Sequence, residues 1–320
     1  MEFPLSLRSA LEARLDGFKQ SQLLSDSQAI SARYRKQDSS GKRLLTTDRE
    51  AVAYAATRMP ATFGAVSAAL QWVLDCCDIR LETLLDAGAG TGAACWAADA
   101  LLSLSEVTCL EREGAMRRLG EALMETGSPA LQSARWIDRD ITKENLGVTA
   151  DLVVASYVLN ELSEENRLKA ARSLWNTAGQ MLLIVEPGTP AGYAHLREIR
   201  SLLLKEGAHM AAPCPHENAC PLPEDDWCHF TCRVARSRLH KQLKGGEAPY
   251  EDEKFCYLAL TRKECAPAGA RILRHPRIDP GKISLSLCTE NGLSTREVRK
   301  KDGPLFKAAR KSHCGDSFPG

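Results

Sequence analysis

A strand, a glycine-rich turn and a helix, read in that order through Leu84-Leu85-Asp86-Ala87-Gly88-Ala89-Gly90-Thr91-Gly92, constrain this chain more than any other feature. Glycines at such a turn permit positive φ and leave room for a ligand to approach the main chain. Downstream, short apolar runs alternate with amphipathic stretches: EVTCLERE, GAMRRLGEALMET, ARWIDRD, ADLVVASYVLNEL, EENRLKAARSLWNTAG, QMLLIVEPG and AHLREIRSLLLKEG. The alternation predicts an α/β fold, a doubly wound and mainly parallel sheet with helices on both faces. Right-handed crossovers bring the strands' carboxyl ends to one edge, where a ligand sits.

The turn reads Asp-x-Gly-x-Gly-x-Gly, not the dinucleotide Gly-x-Gly-x-x-Gly. Its leading Asp86 would repel a pyrophosphate and suits the cationic methionine moiety of S-adenosylmethionine. Glu111 closes the next strand ~20 positions on, where a carboxylate can accept both ribose hydroxyls. Asp138 or Asp140, ending the third strand, would meet the adenine side, and Ser156 ends the fourth. The expected cofactor-binding residues are thus Asp86, Gly88, Gly90, Gly92, Glu111, Asp138, Asp140 and Ser156. The order strand, glycine loop, helix, strand, acid resembles class I methyltransferases. After the fourth strand, Ser156-Tyr157-Val158-Leu159-Asn160-Glu161-Leu162 stands where amino-group methyltransferases usually carry Asn/Asp-Pro-Pro-Tyr. That motif is absent, and no Cys nucleophile for pyrimidine carbon methylation replaces it. Methyl transfer can proceed by positioning and desolvation alone, so the sequence names no catalytic residue and leaves turnover open.

With 44% hydrophobic and 26% charged residues, the 320-residue chain can bury one main core and carry a smaller appendage. No run approaches the ~18 apolar residues that span a bilayer. The first thirty residues hold Glu2, Glu12, Asp16 and Asp26 and lack both a signal-peptide core and the acid-poor pattern of a transit peptide. A bacterial cytoplasmic protein is expected, with the mitochondrial matrix as the alternative. Residues 1–80 read as a helical region, 81–210 as the S-adenosylmethionine-binding core, 211–254 as a Cys-rich metal-binding insertion, and 255–320 as the final strands of the sheet with a basic tail. Residues 229–320 hold 19 Lys and Arg against 10 Asp and Glu, a charge of +9, leaving 23 against 31, or −8, for residues 1–228. A basic C-terminal third is either a polyanion-binding face or a solvated surface. Arg233, Arg236, Arg238, Lys241 and Lys244 follow the cysteine loop with helical spacing and either project toward phosphates or form a solvated helix face. Arg33, Arg35, Lys36, Lys42 and Arg43 around a Ser-Ser-Gly turn either touch phosphates or face water. Trp96 and Trp136 fall in apolar patterns and read as packing.

The twelve cysteines do not form a secreted disulfide pattern: Cys76 and Cys77 are adjacent, and Cys95 and Cys109 lie in apolar segments. Cys214, Cys220, Cys228 and Cys232 fall within 19 residues, and thiolates gathered on a loop suit zinc or an iron-sulfur cluster. Spacings of five and seven intervening residues match neither a zinc ribbon nor a ferredoxin run, so these residues leave the metal open. His216 and His229 are alternative ligands or hydrogen-bonding neighbours.

Cys214-Pro-His216, Cys220-Pro-Leu222 and Trp227-Cys228-His229-Phe230, preceded by Arg58-Met59-Pro60-Ala61-Thr62, by Ser156 to Leu162 and by Glu186-Pro-Gly-Thr-Pro190, are similar to the Rsm22 family. These are methyltransferase-like proteins of the mitochondrial small ribosomal subunit, with bacterial relatives, and the resemblance covers residues 30–313. It implies a 4Fe-4S cluster held by Cys214, Cys220, Cys228 and Cys288, with zinc as the alternative metal and Cys232 the local rival for the fourth place. It also implies that the basic C-terminal segment lies against ribosomal RNA. The leading expectation is a monomer that binds the small ribosomal subunit and its rRNA, neither DNA nor membrane, and assists assembly or translation. Two others are an active rRNA methyltransferase with a purely structural metal site and a redox-responsive RNA-binding regulator.

Overall fold

The computed structural model describes residues 2–35, 47–143, 145–236, 240–241, 243 and 247–319. Lys36, Lys42, Arg43, Arg238 and Lys244 lie outside the described residues.

Three helices come first: α1 (Leu5–Leu15), α2 (Gln20–Arg35) and α3 (Asp48–Leu74). The last opens on a capping box, in which Thr47 accepts from the Glu50 amide while the Glu50 carboxylate receives the Thr47 amide. Alanine-rich faces along 27 residues let α3 pack closely on its neighbours.

The main sheet begins with five parallel strands in the order β3 (Arg135–Ile137), β2 (Glu106–Leu110), β1 (Thr83–Ala87), β4 (Ala150–Ser156) and β5 (Ala178–Pro187). The long β8 (Tyr250–Thr261) runs antiparallel beside β5. Its far edge carries β6 (His209–Ala212) on one half and β7 (Phe230–Ala235) on the other. Five parallel strands with one antiparallel insertion beside them give the class I methyltransferase-like α/β fold. Period-two alternation sorts the side chains. Leu84, Leu152, Leu183 and Val185 join one core with α3, α4 (Ala93–Asp99) and α5 (Gly114–Met124). Leu85, Val153, Leu182 and Ile184 join the other with α7 (Glu164–Thr177) and α8 (Pro190–Lys205). A short α6 (Pro129–Gln132) leads into β3.

Only one of the three segments expected to finish the sheet does so, namely 255–260 within β8. Ala270–Ile272 (β9) and Lys282–Thr289 (β11) instead build a second, antiparallel sheet with β10 (Arg277–Asp279), β12 (Gly292–Arg299) and β13 (Ser317–Phe318). The reason is two-sided burial: a strand inside a parallel sheet is apolar throughout, whereas Lys-Ile-Ser-Leu-Ser-Leu alternates and needs only one covered face. Ile283, Leu285 and Leu287 meet Ile272, Val298 and Phe318, and α9 (Pro304–Lys311) covers them through Ala309, Leu305 and Phe306. Helical spacing at Arg233 and Arg236 is also corrected. Arg233 lies in β7 and pairs with Asp252 of β8 at 2.9 Å, and Arg236 pairs with Glu251 at 2.9 Å, so cross-strand acids consume these charges. Trp96 is buried, and Trp136 packs at the Cα of Gly120, as read from the sequence. No helix among the described residues is long and apolar enough to cross a membrane.

Candidate functional site

Two cavities gather the residues singled out by the sequence. The first lies at the carboxyl ends of the parallel strands. Gly88, Gly90 and Gly92 take φ of 75°, 56° and 84°, a region that costs other residues strain. A Cβ on Gly88 would sit 2.6 Å from Val158, so the loop and the segment after β4 are in contact only because that carbon is missing. Glu111 fastens the loop, its two carboxylate oxygens accepting from the Gly90 amide at 2.8 Å and the Glu113 amide at 2.7 Å.

Gly88, Gly90, Glu111, Asp140 and Ser156 all line this cavity. Asp86 and Gly92 do not: Asp86 is fully buried behind the loop, where it accepts a weak bond from the Cys95 thiol, and Gly92 caps α4. Asp138 is not brought in either; its side chain is 61% exposed and paired with Arg117 at 3.1 Å. Asp140 is held instead, its carboxylate receiving the Thr142 amide and hydroxyl, and the pull of these bonds outweighs its partial burial to keep it below the usual carboxylate range.

Residues missed from sequence complete the cavity: Tyr54 reaches in from α3, Arg112 and Glu113 follow β2, Met116 comes from α5 and Glu161 from the turn after β4. Burial pushes the Asp86 and Glu161 carboxyls up to about 7 and Glu186, fully buried beside the turn after β4, up to about 8. Glu186 accepts from the Leu159 amide and so holds that turn. Tyr157, at φ 56°, is the strained residue where a catalytic motif would stand, and its hydroxyl donates to Glu253 at 3.0 Å. Of the groups that line the cavity, Glu111, Glu113, Asp140 and Glu161 outnumber Arg112 and Arg139, a balance that suits a cationic ligand.

The second cavity lies between α8, the β6–β7 loop and the second sheet. Cys214, Cys220, Cys228 and Cys288 all line it, together with Cys256 of β8, which apolar patterning disguised as an ordinary core position. Cys232 does not; it lies in β7 against Gly64 of α3. Among the described residues no group of three or more His, Cys, Asp or Glu is already drawn together as a metal-holding set. Cys220 shares a hydrogen bond with the Tyr193 hydroxyl at 3.1 Å, and Cys288 stands 3.7 Å from Nε2 of the buried His216. His229 stacks on Trp227 and is not a wall of the cavity. Burial pushes the Cys214 and Cys228 thiols up and Cys288 to about 12, so these thiols are neutral until a cation claims them.

Arg200 and Arg271, 7% and 1% exposed, line the same walls, and among the described residues no carboxylate does. Arg200 donates to the carbonyls of His216 and Asn218 at 2.8 and 2.9 Å, while its Nε has no partner. Arg271 donates to the Pro213 and Gly315 carbonyls at 3.1 and 2.8 Å. Neither forms an ion pair with a carboxylate among the described residues, an expensive arrangement for buried cations unless an anion shares the cavity. The donor set and its charge therefore fit a thiolate-bound metal group.

The human mitochondrial ribosome assembly protein METTL17 is 31% identical over 304 residues, covering 86% of this chain and 64% of that protein. A Schizosaccharomyces pombe protein, mitochondrial Rsm22-cox11 tandem protein 2, is 26% identical over 216 residues, covering 52% of this chain and 29% of its own length. The chain thus spans less than two thirds of these relatives. Both of these relatives carry mitochondrial names. Among solved structures, the Synechocystis magnesium protoporphyrin IX methyltransferase ChlM with bound S-adenosylmethionine superposes with a TM-score of 0.42 at 15% identity, over 77% of this chain and 98% of that one, a likeness too loose to add to the strand order. The family described as mitochondrial small ribosomal subunit Rsm22 matches residues 48–319, and with that span the chain belongs to the Rsm22 family.

Proposed function

We propose that this protein assists assembly of the mitochondrial small ribosomal subunit, with S-adenosylmethionine at the glycine loop and a 4Fe-4S cluster on Cys214, Cys220, Cys228 and Cys288. The observation that carries the reading is the pair of buried guanidiniums, Arg200 and Arg271, on a cavity walled by thiols and, among the described residues, by no carboxylate. Four thiolates around such a cluster give it a net negative charge, which these cations offset. When bound, the cluster supplies a fixed junction between the cysteine loop and β11. Arg200 and Arg271 meanwhile hold the loop carbonyls in place. The junction would fasten the second sheet to the core, and Arg299, Lys300, Lys301, Lys307, Arg310 and Lys311 on that sheet and its helix are exposed for phosphate contact. At the other cavity, Glu111 would receive the ribose hydroxyls and the carboxylate-rich wall the sulfonium and ammonium charges.

The test is purification without oxygen, followed by visible absorption and by iron, sulfide and zinc analysis. A band near ~400 nm, lost in Cys228→Ser together with the second sheet's resistance to proteolysis, is the expected result. A colourless protein with one zinc would replace the cluster by a zinc junction, and a metal-free folded protein would overturn the reading of this cavity. Co-sedimentation with small subunits should weaken as salt rises and be lost in Lys300→Glu/Lys301→Glu; binding that ignores both would refute the RNA-facing role.

Glu161 favours a second reading, an active rRNA methyltransferase. Its carboxyl, raised to about 7, lines the cavity with Gly88 and Ser156, where a proton acceptor would be useful. Labelled methyl groups passing to rRNA and failing to do so in Glu161→Gln would support it; cofactor binding without transfer would leave assembly alone.

A further inference from the structure

We propose that Cys77 and Cys265 are a reversible dithiol–disulfide pair, a redox modification site distinct from the four-cysteine cavity, that ties the end of α3 to the segment joining the two sheets. The two sulfurs lie 2.7 Å apart although their residues are 188 positions apart in sequence. Cys77 follows α3, and Cys265 lies between β8 and β9, so a bond here would staple the helical region, the main sheet and the second sheet together. Neither residue lines the cavity that holds Cys214, Cys220, Cys228 and Cys288.

Their environments divide the chemistry. Cys77 is 4% exposed and its thiol donates to the Cys265 sulfur, which also has the Thr261 hydroxyl at 3.6 Å. The bond from Cys77 lowers the Cys265 pKa and raises that of Cys77, making Cys265 the attacking thiolate and Cys77 the resolving thiol. Cys265 is only half-buried, and a surface groove lined by Cys76, Ala266 and Pro267 opens beside it. The contrast with Cys95 and Cys109 is instructive. Their sulfurs are 3.5 Å apart, but both are fully buried and burial pushes both thiols up, so they have proximity without access or a thiolate.

With a small-molecule disulfide such as oxidised glutathione, the Cys265 thiolate attacks one sulfur, forming a mixed disulfide and expelling one glutathione thiolate. Cys77 then gives up its proton and attacks the Cys265 sulfur, expelling the second. Two protein thiols and one glutathione disulfide become one protein disulfide and two glutathione molecules.

The full chain should be equilibrated without oxygen in mixtures of reduced and oxidised glutathione, quenched by alkylation, digested and mapped by mass spectrometry. A Cys77–Cys265 linked peptide that grows with the oxidised fraction, disappears with dithiothreitol and is absent in Cys265→Ser is the expected result. In Cys77→Ser the mixed glutathione disulfide should accumulate on Cys265. Circular dichroism checks that both variants fold; if either fails, the wild-type map decides. Linkage of Cys76 to Cys77, or equal alkylation of Cys77 and Cys265 at every ratio, would overturn the proposal.

Discussion

The two cavities are lined by opposite balances of ionisable side chains. The one at the strand ends is walled by Glu111, Glu113, Asp140 and Glu161 against Arg112 and Arg139; the other has Arg197, Arg200 and Arg271 and, among the described residues, no acid. An excess of one sign of charge in a low-dielectric site is costly and becomes favourable once a ligand of opposite sign arrives. The difference teaches that two cavities of one fold can differ in sign as well as in shape; under the function proposed above, the first would take a cation and the second an anionic metal–thiolate group.

The largest effect expected is at the second cavity. Arg271→Gln should reduce bound iron per chain severalfold while leaving S-adenosylmethionine affinity unchanged, measured by metal analysis and calorimetry on the same sample. Undiminished iron would break the charge argument. Next, Glu111→Ala removes two charge-assisted amide bonds from the glycine loop, about 3 kcal/mol in all, and should weaken S-adenosylmethionine about 100-fold with iron retained. Loss of both ligands together would mean that the cavities are not independent.

A smaller effect is the pH dependence of stability. Glu186 ordinarily ionises near 4.5 but is raised to about 8 in the fold, so between those values the native state holds a proton that the unfolded chain has lost. Stability should therefore fall as pH rises through that window, and thermal melts of ligand-free Glu186→Gln should show a shallower decline. Asp86 and Glu161, raised to about 7, supply the slope that remains. An unchanged profile would place the burden on those two groups alone. The smallest effect is local: Gly88→Ala should cost about 2 kcal/mol in chemical denaturation, through positive φ and the clash with Val158.

The first cavity was largely legible because its parts are short-range. Gly88, Gly90, Glu111, Asp140 and Ser156 each follow a strand that period-two and apolar patterning mark, and a parallel sheet brings such ends to one edge. Tyr54 was not legible, since α3 is far from the glycine loop in sequence and only its packing carries that ring to the mouth. Asp138 and Asp140 could not be told apart, because a two-residue difference at the end of a three-residue strand decides which one turns inward. Arg200 and Arg271 were invisible as a pair: one is a helix residue, the other sits in a strand that read as part of the main sheet.

By itself, the sequence determined that alternating strands and helices would wind a mainly parallel sheet, that the glycine turn would stand at its edge, and that cysteines would gather on one loop. Periodicity and turn chemistry act over a few residues, so they survive in a linear reading. Only the tertiary structure decided that residues 270–318 form their own sheet, that Cys288 rather than Cys232 reaches the loop's cavity, and that two buried arginines, with no acid beside them among the described residues, face those thiols. Burial and charge neighbourhood are properties of segments that meet across the whole fold, and no local pattern records them.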